Sequence, residues 1–221
     1  MDAVVLLSGG LDSTVAAYLA KIDVGTGKLH AISFDYGQKH KKELECACKV
    51  GEKLKVTTHP LFKLLGVSLF GSALTGTGKI PTGEQKGIPA TWVPQRNSIF
   101  LSIAFGYAEV VGAGLVYIGV NSMDYSGYPD CRPEFIKSIE EALNLASKRY
   151  VETGKAIRIS APLQYMKKEQ IIRAGLNLGV DFSKTWSCYV GGSKACGKCP
   201  SCILRRQAFS SLGMEDPVEY R

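Results

Sequence analysis

The sequence predicts an α/β protein built on a doubly wound, parallel five-stranded sheet, with a small cysteine-rich unit at its C-terminal end. Short apolar runs of strand length alternate with longer segments of helical period, the pattern of βαβ units. Four of the seven cysteines lie between positions 188 and 202. A chain of 221 residues that is 45% hydrophobic can bury a full core without disulfides. We expect residues 1–185 to form the α/β domain and residues 186–221 to form a subdomain packed on it.

The strands and helices are predicted from apolar runs and their periods. Strands are expected at 3–7, 29–34, 55–58, 115–120 and 157–159, each a short apolar or β-branched run. Helices are expected at 11–20, 39–54, 97–111, 133–146 and 168–178, where apolar residues recur at helical spacing. Residues 71–91 are rich in Gly, Thr, Lys and Pro and are predicted to form a mobile loop that closes over the site as a lid.

Charge and motif content narrow the class of protein. The net charge of +7 fits anionic small molecules as well as nucleic acid, so it is weak support for an RNA partner. The first apolar run is too short for a signal peptide or a membrane span, and we expect a soluble, cytoplasmic protein without a membrane partner. No Gly-x-Gly-x-x-Gly, His-Glu-x-x-His or Gly-x-Ser-x-Gly motif occurs, and residues 76–80 do not form a Walker loop, which disfavours kinase, dehydrogenase and hydrolase functions.

A glycine-containing turn between the first strand and the first helix predicts a phosphate-binding loop. It consists of Ser8, Gly9, Gly10, Leu11, Asp12 and Ser13. Glycines let consecutive backbone N–H groups point inward, and the helix N-terminus adds positive potential. The serine hydroxyls can donate to phosphate oxygens. An unpaired carboxylate beside phosphates would repel them, so we expect Asp12 to bind Mg²⁺.

The C-terminal cysteines have the spacing of a metal site. The candidate ligands are Cys188, Cys196, Cys199 and Cys202. Two overlapping Cys-x2-Cys units and a more distant thiol can surround Zn²⁺, and four thiolates leave no open position, so the zinc is expected to be structural. An iron–sulfur cluster is the alternative. Ferredoxin-type runs place the next cysteine before a proline, where Arg206 and Gln207 stand here.

The phosphate loop resembles the signature of the N-type ATP pyrophosphatases, the PP-loop family, which cleave ATP between the α and β phosphates. Further segments resemble one branch of that family, the 7-cyano-7-deazaguanine synthases of queuosine biosynthesis. These segments are 35–38 (Asp-Tyr-Gly-Gln) with His40 and Glu43, 93–97 (Val-Pro-Gln-Arg-Asn), 119–121 (Gly-Val-Asn), Asp124, 127–135 (Gly-Tyr-Pro-Asp-Cys-Arg-Pro-Glu-Phe), Lys168, 185–189 (Thr-Trp-Ser-Cys-Tyr), the four cysteines and Asp216-Pro217. Gln95 departs from the family, which usually has glycine there.

The resemblance implies an adenine nucleotide alpha-hydrolase-like fold and a ligase that forms a nitrile. Its reaction would convert 7-carboxy-7-deazaguanine and ammonia into 7-cyano-7-deazaguanine by adenylating the carboxylate and then the amide. The implied cofactors are ATP, Mg²⁺ and structural Zn²⁺. The family also suggests a homodimer, and we expect no stable nucleic-acid partner.

The resemblance and charge considerations together suggest the site residues. The loop 8–13 would hold ATP, and Asp12, Lys168 and Arg96 would be the catalytic residues, although both cations can also be read as solvated surface charges. The substrate-binding candidates are Asp124, Tyr128, Asp130 and Arg132. Either acid would accept from the guanine-like N–H groups, with Tyr128 or Trp186 stacking on the ring. Asp130 can alternatively be a turn former.

Two other functions remain open at this point. A tRNA-thiolating PP-loop enzyme needs a reactive cysteine, and Cys131 is the candidate near the site. A zinc-knuckle protein that binds nucleic acid and uses little ATP is the alternative from another class. Its RNA affinity would fall steeply with salt.

Overall fold

The computed structural model describes residues 1–64, 66–67, 71–76, 78–83, 87–123 and 128–221. Its five strands form one parallel sheet in the order β3-β2-β1-β4-β5. The strands are β1 (Ala3–Leu6), β2 (Leu29–Asp35), β3 (Leu61–Lys63), β4 (Leu115–Tyr117) and β5 (Arg158–Ser160). Ala3 lies opposite Leu29 on one side and Leu115 on the other. The predicted five-stranded parallel sheet is therefore confirmed.

Seven helices connect and flank these strands within the described ranges. They are α1 (Leu11–Val24), α2 (Lys42–Leu54), α3 (Arg96–Val111), α4 (Pro133–Leu145), α5 (Lys148–Thr153), α6 (Lys168–Asn177) and α7 (Pro200–Ser211). All five predicted helices are present, with ends that differ by up to four residues. The helices α5 and α7 were not predicted. None of the helices in the described part of the chain is long and apolar enough to cross a membrane.

Strand β1 shows why the sheet is covered on both faces. Val4 and Leu6 pack with α3 and α4, whereas Ala3 and Val5 pack with α1 and α2. Successive side chains of a strand point to opposite faces, so a strand that is apolar at every position has to be buried on both. This arrangement is the doubly wound fold that the continuous apolar runs predict.

The predicted position of the third strand, 55–58, was wrong. Lys55 ends α2 in a left-handed conformation (φ 51°, ψ 51°), which does not continue into a strand. The chain comes alongside β2 two residues later, where the Thr57 N–H donates to the Leu29 carbonyl at 2.7 Å, and the Ala31 N–H then donates to the Thr58 carbonyl at 2.9 Å. The regular strand β3 begins only at Leu61, after Pro60, and lies at the edge of the sheet.

The C-terminal segment is packed firmly against the rest of the molecule. Phe209 of α7 is 1% exposed and shares a cluster with Val15 of α1 and Ile171 of α6. Arg205 is also buried, and its Nε and Nη2 donate to the two carboxylate oxygens of Asp216 at 2.7 and 3.0 Å. The boundary between residues 185 and 186 stays a prediction, because α7 supplies side chains to this shared core.

Candidate active site

A cavity of about 290 Å³ opens at the carboxyl ends of the central strands. Its walls include the segments that follow β1, β2 and β4. Within the sheet, β2 is the neighbour of β1 on one edge and β4 is its neighbour on the other edge. This point, where the strand order reverses, is where open α/β sheets bind their ligands.

The predicted phosphate loop lies in the wall of this cavity. Five of its six residues line the cavity, and Gly9 instead packs against α2. Gly9 has a φ of +83°, and a Cβ there would overlap the Glu43 carbonyl oxygen and lie 2.6 Å from the Ala47 nitrogen. Only glycine fits such an approach. The close packing aims the N-terminus of α1 at the cavity.

The serine hydroxyls of the loop face each other. Ser8 Oγ lies 2.9 Å from Ser13 Oγ, which also accepts from the Ser8 N–H at 3.2 Å. Gly10 N–H lies 3.3 Å from Ser8 Oγ. These donors converge beside the first turn of α1, where the helix dipole favours an anion.

Asp12 and Lys168 form an ion pair in the cavity wall. Lys168 Nζ donates to both carboxylate oxygens of Asp12 at 2.7 Å. Lys168 is the first residue of α6 and is only 8% exposed, so it is not a solvated surface charge. Lys168 thus supplies Asp12 with a counter-charge beside the phosphate loop, and the expected binding of Mg²⁺ by Asp12 stays a prediction.

Arg96 is brought to the same cavity by α3, of which it is the first residue. Burial lowers the pKa of its guanidinium, but the neighbouring Tyr36 and Asp130 raise it more, and the net shift is upward. Arg96 therefore stays charged. The preceding residue, Gln95, has a left-handed backbone (φ 57°, ψ 16°), a conformation that favours glycine.

Two of the substrate-binding candidates do not line the cavity. Asp130 is 5% exposed, and its Oδ2 accepts from the Asn97 N–H at 3.0 Å, in the first turn of α3. Arg132 is exposed on the surface, where it precedes α4. The prediction that they contact the substrate does not fit this placement. Asp130 instead caps the helix that carries Arg96.

Tyr128 does line the cavity, and its hydroxyl lies 2.9 Å from Thr91 Oγ1. Trp186 lines it as well, but it is 3% exposed and Lys42 Nζ lies 4.1 Å above its ring. Of the two aromatic residues, Tyr128 is thus better placed to stack on a ligand. Asp124 lies outside the described residues.

The four predicted metal ligands come together in space. Their sulfur atoms all lie within 4.8 Å of one another, and all four side chains are buried. Tetrahedral zinc with four sulfurs at about 2.3 Å needs S···S distances of about 3.8 Å, and Cys196 Sγ lies 3.9 Å from Cys202 Sγ. Backbone N–H groups of Cys196, Lys198 and Cys199 point at the sulfurs. The site fits a zinc ion held by these thiolates.

The cysteine site is joined directly to the phosphate loop. Trp186 N–H donates to the Gly9 carbonyl at 2.9 Å, and Trp186 Nε1 donates to the Cys188 carbonyl at 3.0 Å. A metal at the cysteines would therefore hold one wall of the cavity in place.

Comparison with known proteins gives the family. Residues 2–213 match the family described as queuosine biosynthesis protein QueC. The chain belongs to this family. A relative from Solidesulfovibrio magneticus, named 7-cyano-7-deazaguanine synthase, is 51% identical over 99% of this chain and 95% of its own length. A relative of the same name from Stutzerimonas stutzeri is 50% identical, with 99% and 97% covered.

Solved structures share the fold at lower identity. NMN synthetase from Francisella tularensis is similar with a TM-score of 0.55 and 18% identity, over 96% of this chain and 77% of that one. A 4-thiouridine synthetase, solved with RNA and bound ATP, has a TM-score of 0.54 and 18% identity, over 95% of this chain and 53% of that one. The likeness shows that the fold is shared with these proteins.

Glu43 is a cavity residue to which the sequence assigned no role. Glu43, in the first turn of α2, lines the cavity, and burial raises the pKa of its carboxyl to about 8. It belongs to the segment by which the chain resembles the QueC family, but its position beside the phosphate loop depends on how α2 packs against Gly9.

Proposed function

We propose that this protein is a 7-cyano-7-deazaguanine synthase, an ATP-dependent ligase that converts 7-carboxy-7-deazaguanine and ammonia into the nitrile. The observation that carries the proposal is the convergence of the phosphate loop, the Asp12–Lys168 pair and Arg96 on one cavity of about 290 Å³. Full-length relatives about half identical to this chain, which bear that enzyme's name, support it.

The phosphate loop would hold the pyrophosphate end of ATP. The converging Ser8 and Ser13 hydroxyls and the N-terminus of α1 supply donors, and Lys168 and Arg96 supply positive charge. Asp12 is the candidate ligand for Mg²⁺, which would supply positive charge to neutralise the phosphates. Charged donors fixed in the cavity would stabilise the charge that develops at the α-phosphate.

Two rounds of adenylation account for the product. A carboxylate is a poor electrophile because its leaving group would be oxide. Its oxygen attacks the α-phosphate and releases pyrophosphate; ammonia then adds to the carbonyl carbon, and AMP leaves with that oxygen. The amide oxygen attacks a second ATP in the same way. Loss of AMP and of the two amide protons leaves the nitrile. The protein's contribution is positioning and charge stabilisation.

The deazaguanine ring would occupy the apolar part of the cavity. Phe34 and Phe100, which stack on each other at 4.0 Å, line it together with Tyr128. Tyr128 is the candidate for stacking on the ring. Asp124 remains the candidate acceptor for the guanine N–H groups. We also infer a homodimer from the family resemblance, and a cytoplasmic location from the short first apolar run.

The zinc ion would be structural. Four thiolate ligands fill a tetrahedral coordination sphere and leave no position for water or substrate. The zinc would take no part in the chemistry. The enzyme would still depend on it, because Trp186 links Cys188 to Gly9 of the phosphate loop.

The thiolation alternative loses support from the environment of Cys131. This thiol is buried and lines the cavity, and burial together with Asp130 raises its pKa to about 12. The thiolate is the nucleophilic form, so a thiol with so high a pKa is poorly suited to carry sulfur.

The test is direct. The protein is mixed with ATP, Mg²⁺, ammonium and 7-carboxy-7-deazaguanine, and products are followed by mass spectrometry. We expect the nitrile with two AMP per molecule formed, and ATP–pyrophosphate exchange that needs the carboxylate substrate but not ammonium. ADP as the nucleotide product, or no nitrile, would contradict the proposal. Tight RNA binding that falls steeply with salt would favour the nucleic-acid-binding alternative.

A further inference from the structure

The proposed reaction needs a base for its nitrogen donor. At neutral pH ammonia is present mainly as ammonium ion, which has no lone pair with which to attack a carbonyl carbon. The residues assigned above to ATP are cations and phosphate donors, apart from Asp12, which already pairs with Lys168 and is the candidate ligand for Mg²⁺. A site for ammonium needs acceptors, at least one of which can also take a proton.

Glu43 is a carboxyl group placed in the cavity where the ammonium ion has to be held. Its side chain is 13% exposed and lines the cavity that also contains the phosphate loop. The absence of a side chain at Gly9 lets the loop contact the backbone of α2 at Glu43 and Ala47. The carboxyl therefore lines the same cavity in which an adenylated substrate would be formed.

Atoms that can accept further hydrogen bonds lie at and beside the Glu43 carboxyl. Gln38 Nε2 donates to Glu43 Oε1 at 3.4 Å. His40 Nδ1 lies 3.4 Å from Glu43 Oε2, and within the described part of the chain it has no hydrogen-bond partner. His40 is 4% exposed and lines the same cavity. A buried ring nitrogen without a partner is costly, and a small donor that sits beside the pair and bridges both acceptors would satisfy them.

We propose that Glu43, with His40 as an adjoining acceptor, binds the ammonium ion and serves as the base that converts it to ammonia. This inference deepens the proposed function and rests on it. The Glu43 carboxylate takes one proton from ammonium, and the freed nitrogen lone pair adds to the carbonyl carbon of the adenylated carboxylate. The C–O bond to AMP then breaks. The added nitrogen loses a second proton to water, and protonated Glu43 releases its own proton to solvent before the next cycle.

The electrostatic surroundings suit this role. Burial raises the pKa of Glu43 to about 8, although Arg96 on α3 and the Gln38 hydrogen bond lower it. A base whose pKa lies near the working pH is the most effective proton acceptor. The other titratable groups facing it are Tyr36 at the end of β2, His40, and Cys46 on α2. Arg96 is the cation among them, and its charge favours loss of a proton from a neighbouring ammonium.

The experiment compares Glu43→Gln with Glu45→Gln, which removes an exposed carboxylate of the same helix. We expect Glu43→Gln to raise the KM for ammonium, or lower kcat/KM for it, by roughly tenfold or more. ATP–pyrophosphate exchange, which needs no ammonia, should stay within about threefold of wild type. Glu45→Gln should match wild type in both assays. Glu43→Asp, which keeps a carboxylate, should show a smaller loss.

A neutral nucleophile gives an independent readout. Hydroxylamine is uncharged at neutral pH and needs no deprotonation before attack, so Glu43→Gln should form the hydroxamate at close to the wild-type rate. The ammonium defect should also shrink as the pH rises, because free ammonia becomes abundant. Equal loss with hydroxylamine and ammonium, or an unchanged ammonium KM in Glu43→Gln, would overturn the assignment. Absence of exchange in the wild-type protein would instead refute the proposed function.

Discussion

The Nζ atom of Lys168 lies 2.7 Å from both carboxylate oxygens of Asp12, although 156 positions separate the two residues in the chain. The pair joins the N-terminus of α6 to the first turn of α1 at the edge of the phosphate loop. Each partner neutralises the other, and both line the cavity. A nucleotide phosphate and its metal would meet a preassembled pair of opposite charges.

Lys168→Gln is expected to lower kcat/KM for ATP in the exchange assay by about 100-fold, the usual effect of removing one charged donor from a developing anion. Asp12→Ala should abolish nucleotide turnover. The matched control is Arg173→Gln, which removes an exposed cation from the same helix. Wild-type kinetics in Lys168→Gln or Asp12→Ala would refute their assignment to the phosphate site.

The left-handed backbone of Gln95 leads to a prediction about the free energy of unfolding. Its left-handed conformation costs a non-glycine residue about 1 kcal/mol, while glycine would lose more entropy on folding and would forgo the 2.6 Å hydrogen bond from Ser98 Oγ to Gln95 Oε1. We therefore expect Gln95→Gly to change the free energy of unfolding by less than about 1 kcal/mol. Gln95→Val should destabilise by about 1–2 kcal/mol, because β-branched side chains fit positive φ poorly.

Urea unfolding measures both variants. If Gln95→Val were as stable as wild type, the turn before Arg96 would not hold the left-handed conformation. Exchange kinetics should follow the same order, because Gln95 sets the direction of the helix that presents Arg96 to the cavity.

The cysteine cluster predicts one zinc ion per chain, measurable by elemental analysis. Cys199→Ser is expected to lose zinc and to give misfolded or insoluble protein, because three remaining thiols no longer close the site that supports Trp186 and the phosphate loop. Cys48→Ser is the control, since Cys48 is free and exposed on α2. A soluble, zinc-free and fully active Cys199→Ser variant would exclude a structural role for the metal.

We expect Arg205 to stabilise the C-terminal part of the chain. Its five N–H groups reach Asp216, Thr185, Ser187 and the Phe182 carbonyl. Arg205→Met should destabilise by about 3–5 kcal/mol, because it leaves a buried Asp216 carboxylate without its cation. Arg206→Met, at the adjacent exposed position, should cost less than about 1 kcal/mol. Comparable unfolding midpoints for the two variants would show that the Arg205–Asp216 pair does not contribute to stability.

Much of the fold could be predicted because it depends on local pattern. Strand β1 is apolar at every position and six of the seven residues of β2 are buried, which fits a sheet covered on both faces. Strand β3 could not be placed in the same way, because its three residues lie at an edge and are mostly exposed. The helix α7 was missed because its first turns carry a metal-ligand pattern, with cysteines, a proline and two arginines in place of an amphipathic repeat.

The candidate site likewise has features that local sequence predicts and features that depend on tertiary contacts. Sequence alone determined the phosphate loop, the four cysteines and the family resemblance, because each is a short pattern whose chemistry is set by neighbours along the chain. Only the tertiary structure decided that Lys168 pairs with Asp12, that Asp130 caps α3 instead of lining the cavity, and that Glu43 lies beside Gly9. Those contacts join segments far apart in sequence. They exist because the sheet order and the packing of helices on its two faces bring the segments together, and no local pattern records that packing.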